Sequence, residues 1–284
     1  MVNGFAMNTE FEFADQDFQR VRRIINEIAG ISLAEGKREL VYSRLSRRLR
    51  HLGLRRFDDY CRLLETGGED NPELGEFVNA LTTNLTSFFR EQHHFEFLGR
   101  ELLPALMRER GLSNRRIRIW SAGCSTGEEP YSIAMVVRET LPAVGWDAKI
   151  LATDLDSNVL ATAQRGVYDA ARIKDLPEAR VRRWFQKGRD AQSGQVRVAP
   201  ELQDMIFFRR LNLMLDWPMS GPFDVIFCRN VVIYFDKPTQ RKLFDRFADL
   251  LAEHGHLFVG HSESLFKVTD RFAPLGKTIY RRCI

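Results

Sequence analysis

The chain has 284 residues, 44% hydrophobic and 28% charged, with a formal net charge of +4. This is the composition of a soluble globular protein with room for one large domain or two smaller ones. It excludes a membrane-spanning helix, which needs roughly 20 consecutive apolar residues, and a charge this small does not by itself imply a nucleic-acid binder.

The N-terminus lacks a basic region followed by an apolar core, so no signal peptide is expected. Residues 15–83 read as all-helical. Phe18, Val21, Ile24, Ile25 and Ile28 recur at helical spacing. A second helix is predicted over 37–52, with Leu40, Val41, Leu45, Leu49 and Leu52 as its apolar stripe. Shorter helices fit 57–66 and 72–83, parted by Gly67-Gly68 and Asn71-Pro72.

Residues 37–56 carry Lys37, Arg38, Arg44, Arg47, Arg48, Arg50, Arg55 and Arg56 against one acid, Glu39. Arg44, Arg47, Arg48 and His51 share a helix face, because positions three and four apart are neighbours. Such a face docks an acidic partner or is simply solvated. Nucleic acid is the competing partner, but no aromatic residue is interleaved for base stacking. Asn84-Leu-Thr86-Ser-Phe-Phe-Arg90 follows, either a segment packed over a site or a helix end with its cap.

From about residue 115 strands and helices alternate, which predicts an α/β domain with a mainly parallel sheet. The candidate strands are 117–121, 148–154, 205–210, 223–228, 255–260 and 278–281. The candidate helices are 91–110, 128–140, 157–165 and 238–250. The stretch 166–204 breaks this rhythm and reads as a small inserted subdomain with a β-hairpin around Gln195-Val196-Arg197-Val198.

The richest signal is Trp120-Ser-Ala-Gly123-Cys-Ser-Thr-Gly127-Glu128-Glu129-Pro130, a strand, a glycine turn and a helix start. Its spacing is neither the dinucleotide G-x-G-x-x-G nor a phosphate loop with Lys-Ser or Lys-Thr. Two carboxylates at the helix start repel a pyrophosphate but suit a cationic group, as in S-adenosylmethionine. Asp154 ends the next strand, where a doubly wound sheet holds ribose hydroxyls. The plain alternative is an ordinary strand–turn–helix whose acids favour the helix dipole. Cys124 in the turn reads as a small residue rather than a nucleophile. The four cysteines, Cys61, Cys124, Cys228 and Cys283, form no C-x-x-C pair and suit a reducing, cytoplasmic setting. His254, His256 and His261 flank a strand and lack metal-ligand spacing, so no metal is expected. Arg229-Asn230 at the end of strand 223–228, and Asn212-Leu213 past strand 205–210, are strand-end positions where open α/β sheets bind ligands.

As a set these motifs resemble the chemotaxis receptor methyltransferases, the CheR family, over residues 15–282. They are Leu81-Thr-Thr-Asn-Leu-Thr-Ser-Phe-Phe-Arg-Glu91, the stretch from Trp120 to Ser132, Ala152-Thr-Asp-Leu-Asp156, Phe227-Cys-Arg-Asn-Val-Val-Ile-Tyr-Phe-Asp236 and Gly260-His-Ser-Glu263. The resemblance implies a class I (Rossmann-like) S-adenosylmethionine-dependent methyltransferase domain over 115–284 with a β-subdomain at about 166–204. An all-α receptor-docking domain over 1–83 and a linker with a helix over 84–114 precede it. It implies O-methylation of glutamates on the cytoplasmic helical bundle of methyl-accepting chemoreceptors, by a monomer without direct membrane insertion and with no nucleic-acid partner. By matching positions, Asn84, Thr86, Arg90, Glu129, Asp154, Asn212, Leu213, Arg229 and Asn230 are expected to hold the cofactor, with Glu128 the alternative to Glu129 for its ammonium. Arg90 and Tyr234 are expected to orient the glutamate, and Arg44, Arg47, Arg48 and His51 to meet the receptor. Some receptors of such systems recruit the enzyme through a C-terminal peptide bound by the β-subdomain, which directs attention to the loop 187–194.

Overall fold

Apolar residues at helical spacing and glycine punctuation build the first part of the chain. In the computed structural model, which describes residues 10–68, 71–111 and 114–283, the chain divides between Thr83 and Asn84 into two units. The first holds helices α1 (Asp15–Ala29), α2 (Arg38–Leu52), α3 (Phe57–Thr66) and α4 (Pro72–Leu81). Gly30 and Gly53 end α1 and α2 in the left-handed conformation, with φ of 69° and 67°, which a residue without a Cβ adopts at little cost. Phe18, Val21 and Ile25 of α1, Val41, Leu45 and Leu49 of α2, Phe57 and Tyr60 of α3 and Phe77 of α4 are all buried, with the rings of Tyr60 and Phe77 6.3 Å apart. Helix α4 stops at Leu81 rather than 83, where Arg44 donates to the carbonyls of Leu81 at 2.9 Å and Thr82 at 2.7 Å.

The second unit starts with a helical stretch, α5 (His93–Phe97) and α6 (Leu103–Arg110), joined by a π-turn over Leu98–Leu102. The sequence pattern gives one unbroken helix here. The widened turn precedes Pro104, which has no N–H to continue the regular ladder. Helices α7 (Glu128–Thr140), α8 (Ser157–Arg165), α9 (Glu178–Trp184), α10 (Pro200–Gln203) and α11 (Lys237–Leu250) follow.

The strands are β1 (Arg116–Ala122), β2 (Asp147–Asp154), β3 (Val167–Asp169), β4 (Phe185–Lys187), β5 (Gln195–Val198), β6 (Ile206–Arg210), β7 (Phe223–Cys228), β8 (Leu251–Val259), β9 (Phe272–Gly276) and β10 (Ile279–Arg282). Seven form one sheet in the order β6-β2-β1-β7-β8-β10-β9, parallel from β6 through β8, with β10 antiparallel to both its neighbours. All six residues of β7 are buried, as a central parallel strand covered on both faces requires. Strand β9 lay outside the expected set: only Phe272 of its five residues is buried, so it lacks an apolar run. Strand β8 begins at Leu251, four residues before the expected start. The hairpin expected within 166–204 is β4–β5, and β3 joins it as a three-stranded antiparallel sheet with β5 at its centre.

The order of the sheet positions the site. From β1 the chain steps outward to β2 and β6, then returns to the other side of β1 as β7. A crevice opens outside the carboxyl ends of β1 and β7 at such a reversal, and that is where open α/β sheets bind ligands.

Candidate active site

The turn after β1 is shaped by packing. Gly123 has φ 85°, and a Cβ there would meet Val231 Cγ2 at 2.4 Å. Gly127 has φ 98°, and a Cβ there would meet Ala163 Cβ and the Tyr168 hydroxyl, each at 2.8 Å. Several backbone donors of this turn are already used. Gly123 and Cys124 N–H donate to the Thr153 carbonyl at 2.8 and 2.9 Å, and Gly127 N–H donates to Cys124 O at 3.1 Å. Ser125 N–H donates to Asp154 Oδ2 at 2.8 Å. Four of the turn's N–H groups are thus taken, one of them by the Asp154 carboxylate. Cys124 is buried, which pushes its thiol well above the usual range and leaves it a packed thiol rather than a nucleophile.

Asp154 uses both oxygens on backbone, Oδ2 on Ser125 and Oδ1 on Asp156 N–H at 3.0 Å. Each oxygen keeps a lone pair for a further donor. Burial pushes its carboxyl upward, against those hydrogen bonds. Asn84 Nδ2 donates to Asp156 Oδ2 at 2.7 Å, and Ser125 Oγ donates to Asn84 O at 3.1 Å. The segment after Thr83 is thus fastened to the ends of β1 and β2.

The neighbouring glutamates diverge. Glu129 accepts from Ser121 Oγ at 2.7 Å and from Arg229 Nη1 at 3.0 Å. Burial raises its pKa, opposed by the Arg229 charge. Glu128 accepts from Thr126 Oγ1 at 2.6 Å and pairs with Arg172 of the inserted subdomain. Only Glu129 faces the carboxyl ends of β1 and β7.

Arg229 is 6% exposed. Besides Glu129, it donates to the carbonyl of Arg90 and lies 3.3 Å from Glu91 Oε2. Glu91 also accepts from His261 Nδ1 at 2.9 Å. Burial opposes the charge of Glu91, but His261 and Arg229 outweigh it and hold the carboxyl at about 2. Phe89 and Glu91 on either side of Arg90 are both left-handed, with φ of 53° and 56°. Phe89 N–H is held by Ser132 Oγ at 3.0 Å.

Arg90 Nη1 donates to Leu85 O at 2.8 Å. Tyr234 is half-buried in the 3-10 turn Val232–Tyr234, and among the described residues no hydrogen bond joins it to Arg90. Thr86 is half-buried in the Asn84–Arg90 segment. Asn212 Oδ1 accepts from Met214 N–H at 2.9 Å, and Leu213 beside it is buried. Asn230 is left-handed at φ 59° and donates its N–H to Glu263 Oε2 at 2.8 Å. Glu263 also takes the N–H groups of Gly260 at 2.6 Å and Ile233 at 3.2 Å.

The basic helix face lies in the other unit. Arg48 pairs with buried Glu73 at 2.6 and 2.9 Å, and Tyr60 O–H donates to the same carboxylate at 2.8 Å. Arg44 is engaged on the end of α4. Arg47 and His51 are exposed.

Sequence reasoning missed the supports. Ser121, Glu91, Asp156 and Glu263 lay inside quoted motifs but carry no cofactor-type signature, and Glu263 lies 33 residues from Asn230, whose N–H it accepts. Glu91, His93 and His94 also bring ligand-type atoms within 4.8 Å of one another, a grouping the expectation of no metal did not foresee. His94 Nε2 lies 3.0 Å from the Lys277 carbonyl, which only accepts, so that nitrogen is the donor.

The family profile for the CheR methyltransferase SAM-binding domain matches residues 84–281, and that for the CheR all-alpha domain matches 16–82. The chain belongs to the CheR methyltransferase family. Chemotaxis protein methyltransferase 2 of Pseudomonas aeruginosa (strain PAO1) is 46% identical over 274 residues, covering 96% of this chain and 95% of that one. Chemotaxis protein methyltransferase of Escherichia coli (strain K12) is 43% identical over 275 residues, covering 96% and 93%. A probable chemotaxis protein methyltransferase of Rhizobium etli is 47% identical over 255 residues, covering 89% and 94%. This CheR-family chain is an S-adenosylmethionine-dependent methyltransferase with the class I fold. Its site fits that cofactor: buried Glu129 and half-buried Asp154 suit an ammonium and a diol, and among the described residues Arg229 Nε and Glu91 Oε2 are buried without hydrogen-bond partners.

Proposed function

We propose that this protein methylates glutamate side chains on the cytoplasmic helices of chemoreceptors, forming methyl esters. The observation that carries the cofactor half of this reading is a pair of carboxylates beside the crevice, buried Glu129 at the start of α7 and half-buried Asp154 at the end of β2. Glu129 takes the methionyl ammonium, since Glu128 is turned toward Arg172. Asp154 takes the ribose hydroxyls. Asn84, Thr86, Arg90, Asn212, Leu213, Arg229 and Asn230 complete the wall. The receptor half rests on the family and on the named relatives.

Bound S-adenosylmethionine supplies a methyl group on a positively charged sulfur, which leaves as the neutral thioether of S-adenosylhomocysteine. A glutamate side chain is already ionised at neutral pH, with an ordinary pKa of about 4.3. No residue has to remove a proton. The chain's task is to align the carboxylate behind the methyl group and to exclude water. Arg90 offers a planar fork that matches a carboxylate, and Tyr234 a phenolic donor, so these two orient the incoming glutamate. The left-handed residues on either side of Arg90 and the bond from Arg229 to its carbonyl fix the backbone that carries the fork. Of the basic face, Arg47 and His51 keep the freedom to meet the receptor, while Arg44 and Arg48 act by shaping the helical unit. The protein works in the cytoplasm as a monomer without a metal.

The test is to incubate the protein with tritiated S-adenosylmethionine and purified chemoreceptor signalling domains, then to treat the labelled product with mild alkali. Base-labile label on a receptor is the expected result. Label found on nucleic acid, or cofactor binding with no labelled receptor, overturns the reading. Arg90→Ala and Tyr234→Phe are expected to lower turnover while cofactor affinity changes less. Wild-type turnover in both removes their assignment.

A further inference from the structure

Three residues past Tyr234 a trough of about 500 Å³ opens, lined by Lys237, Pro238, Arg241, Phe266, Lys267 and Val268. Every charged residue in that lining is cationic. Among the described residues, Arg241 and Lys267 have no carboxylate within ion-pair distance, and Lys237 Nζ reaches only the neutral Gln240 Oε1 at 3.1 Å. Phe266 is 76% exposed, and Ile233, beside Tyr234, is 48% exposed. An exposed aromatic beside cationic side chains in a trough offers an apolar anchor to a partner.

The loop that holds Phe266 and Lys267 outward is rigid at both flanks. Leu265 and Val268 are buried at 2% and 3% exposure, and Lys267 is left-handed at φ 59°. Glu263 ties this loop to the site, because the same carboxylate accepts the N–H groups of Gly260, Asn230 and Ile233. The trough and the turn that carries Tyr234 are therefore held as one piece.

We infer that this trough seats the part of the receptor that flanks the reacting glutamate, an acidic amphipathic helix with an apolar residue against Phe266. This rests on the reading of the active site given above. Charge complementarity selects the partner: a helix offering glutamates for methylation is acidic, and residues three or four apart on it share one face. Two helical turns span about 11 Å, so one helix can present a glutamate at the crevice and its neighbours to the trough. A trough also fits a rod better than it fits a flat membrane.

The experiment compares the full-length protein with Arg241→Glu/Lys267→Glu and, separately, Phe266→Ala. Receptor KM, turnover number and S-adenosylhomocysteine affinity are measured on purified chemoreceptor signalling domains at two salt concentrations. The charge reversal is expected to raise receptor KM at least tenfold and to flatten its salt dependence. Phe266→Ala is expected to raise KM several-fold, with S-adenosylhomocysteine affinity unchanged in all variants, which reports that the fold is intact. Receptor KM within twofold of wild type in both variants overturns the inference and leaves the methyltransferase reading standing. Loss of binding to vesicles of anionic phospholipid with unchanged receptor KM also overturns it, by assigning the trough to a membrane surface. If the wild-type protein itself labels no receptor, the reading beneath the inference has failed, and the inference fails with it.

Discussion

Replacing Glu129 by glutamine isolates one charge in this site. Glutamine keeps the shape of the side chain and an acceptor oxygen for Ser121 or Arg229, and removes only the negative charge. Burial already disfavours that charge, so the apoprotein is expected to lose little stability. Cofactor binding is different, because an ammonium facing a buried carboxylate forms a charge-assisted hydrogen bond. Such a bond contributes about 1.5–3 kcal/mol, and at about 1.4 kcal/mol per tenfold that is roughly 10- to 150-fold in Kd. The assay is isothermal titration calorimetry with S-adenosylhomocysteine, which keeps the ammonium and does not turn over. Glu128→Gln is the control, since that carboxylate is committed to Arg172 and Thr126. Affinity within twofold of wild type for Glu129→Gln, with the loss appearing in Glu128→Gln, refutes the reasoning. Arg229→Leu is expected to behave in the opposite sense and to destabilise the apoprotein, because it strips the cation from both Glu129 and Glu91.

The remaining predictions concern pH and stability. Burial raises the folded-state carboxyls of Glu129 and Asp154, so above the ordinary carboxylate pKa the folded apoprotein holds protons that the unfolded chain has released. That contribution to stability is present at low pH and is lost as pH climbs through the raised values. A cationic ligand favours the ionised forms, so the gap in melting temperature with and without S-adenosylhomocysteine should widen from pH 5 to 8, and a constant gap contradicts the assignment. Gly127→Ala drives a methyl against Ala163 and Tyr168. Overpacking of about 1–3 kcal/mol and a left-handed penalty of about 1–2 kcal/mol should lower the melting temperature by about 4–20 °C at 2–4 °C per kcal/mol. Arg48→Ala leaves Glu73 buried without its cation, and about 3 kcal/mol of destabilisation is expected for a broken buried pair. Thermal denaturation reads that loss, and unchanged S-adenosylhomocysteine affinity would keep it in the helical unit.

How much of this was legible in the sequence depended on whether the signal was local. Helices α7 and α8 occupy 128–140 and 157–165 as expected, since each begins just past a glycine turn or an Asp N-cap and carries its own apolar pattern. Asp154, Arg229 and Asn212 could be placed because each follows an apolar strand, and parallel sheets gather such ends on one edge. What stayed hidden depended on partners distant in sequence. Glu263 closes the motif Gly260-His-Ser-Glu263, but nothing local shows that it accepts the N–H of Asn230. A run of arginines gives no sign that Arg48 is taken by Glu73, 25 positions later. The divergence of Glu128 and Glu129 is set by Arg172 and Arg229, residues on different elements.

The turn around Arg90 also sets a limit for anyone who tries to harden this enzyme against heat. Left-handed backbone at Phe89 and Glu91 costs roughly 1–2 kcal/mol at each non-glycine residue, but glycine is no remedy at either. At Phe89 it empties a buried aromatic site against Phe95, which costs about 3–5 kcal/mol, and at Glu91 it takes the carboxylate from Arg229 and His261. The strain of this turn is held in place by the packing around it, so a stabilising screen cannot remove it with one substitution.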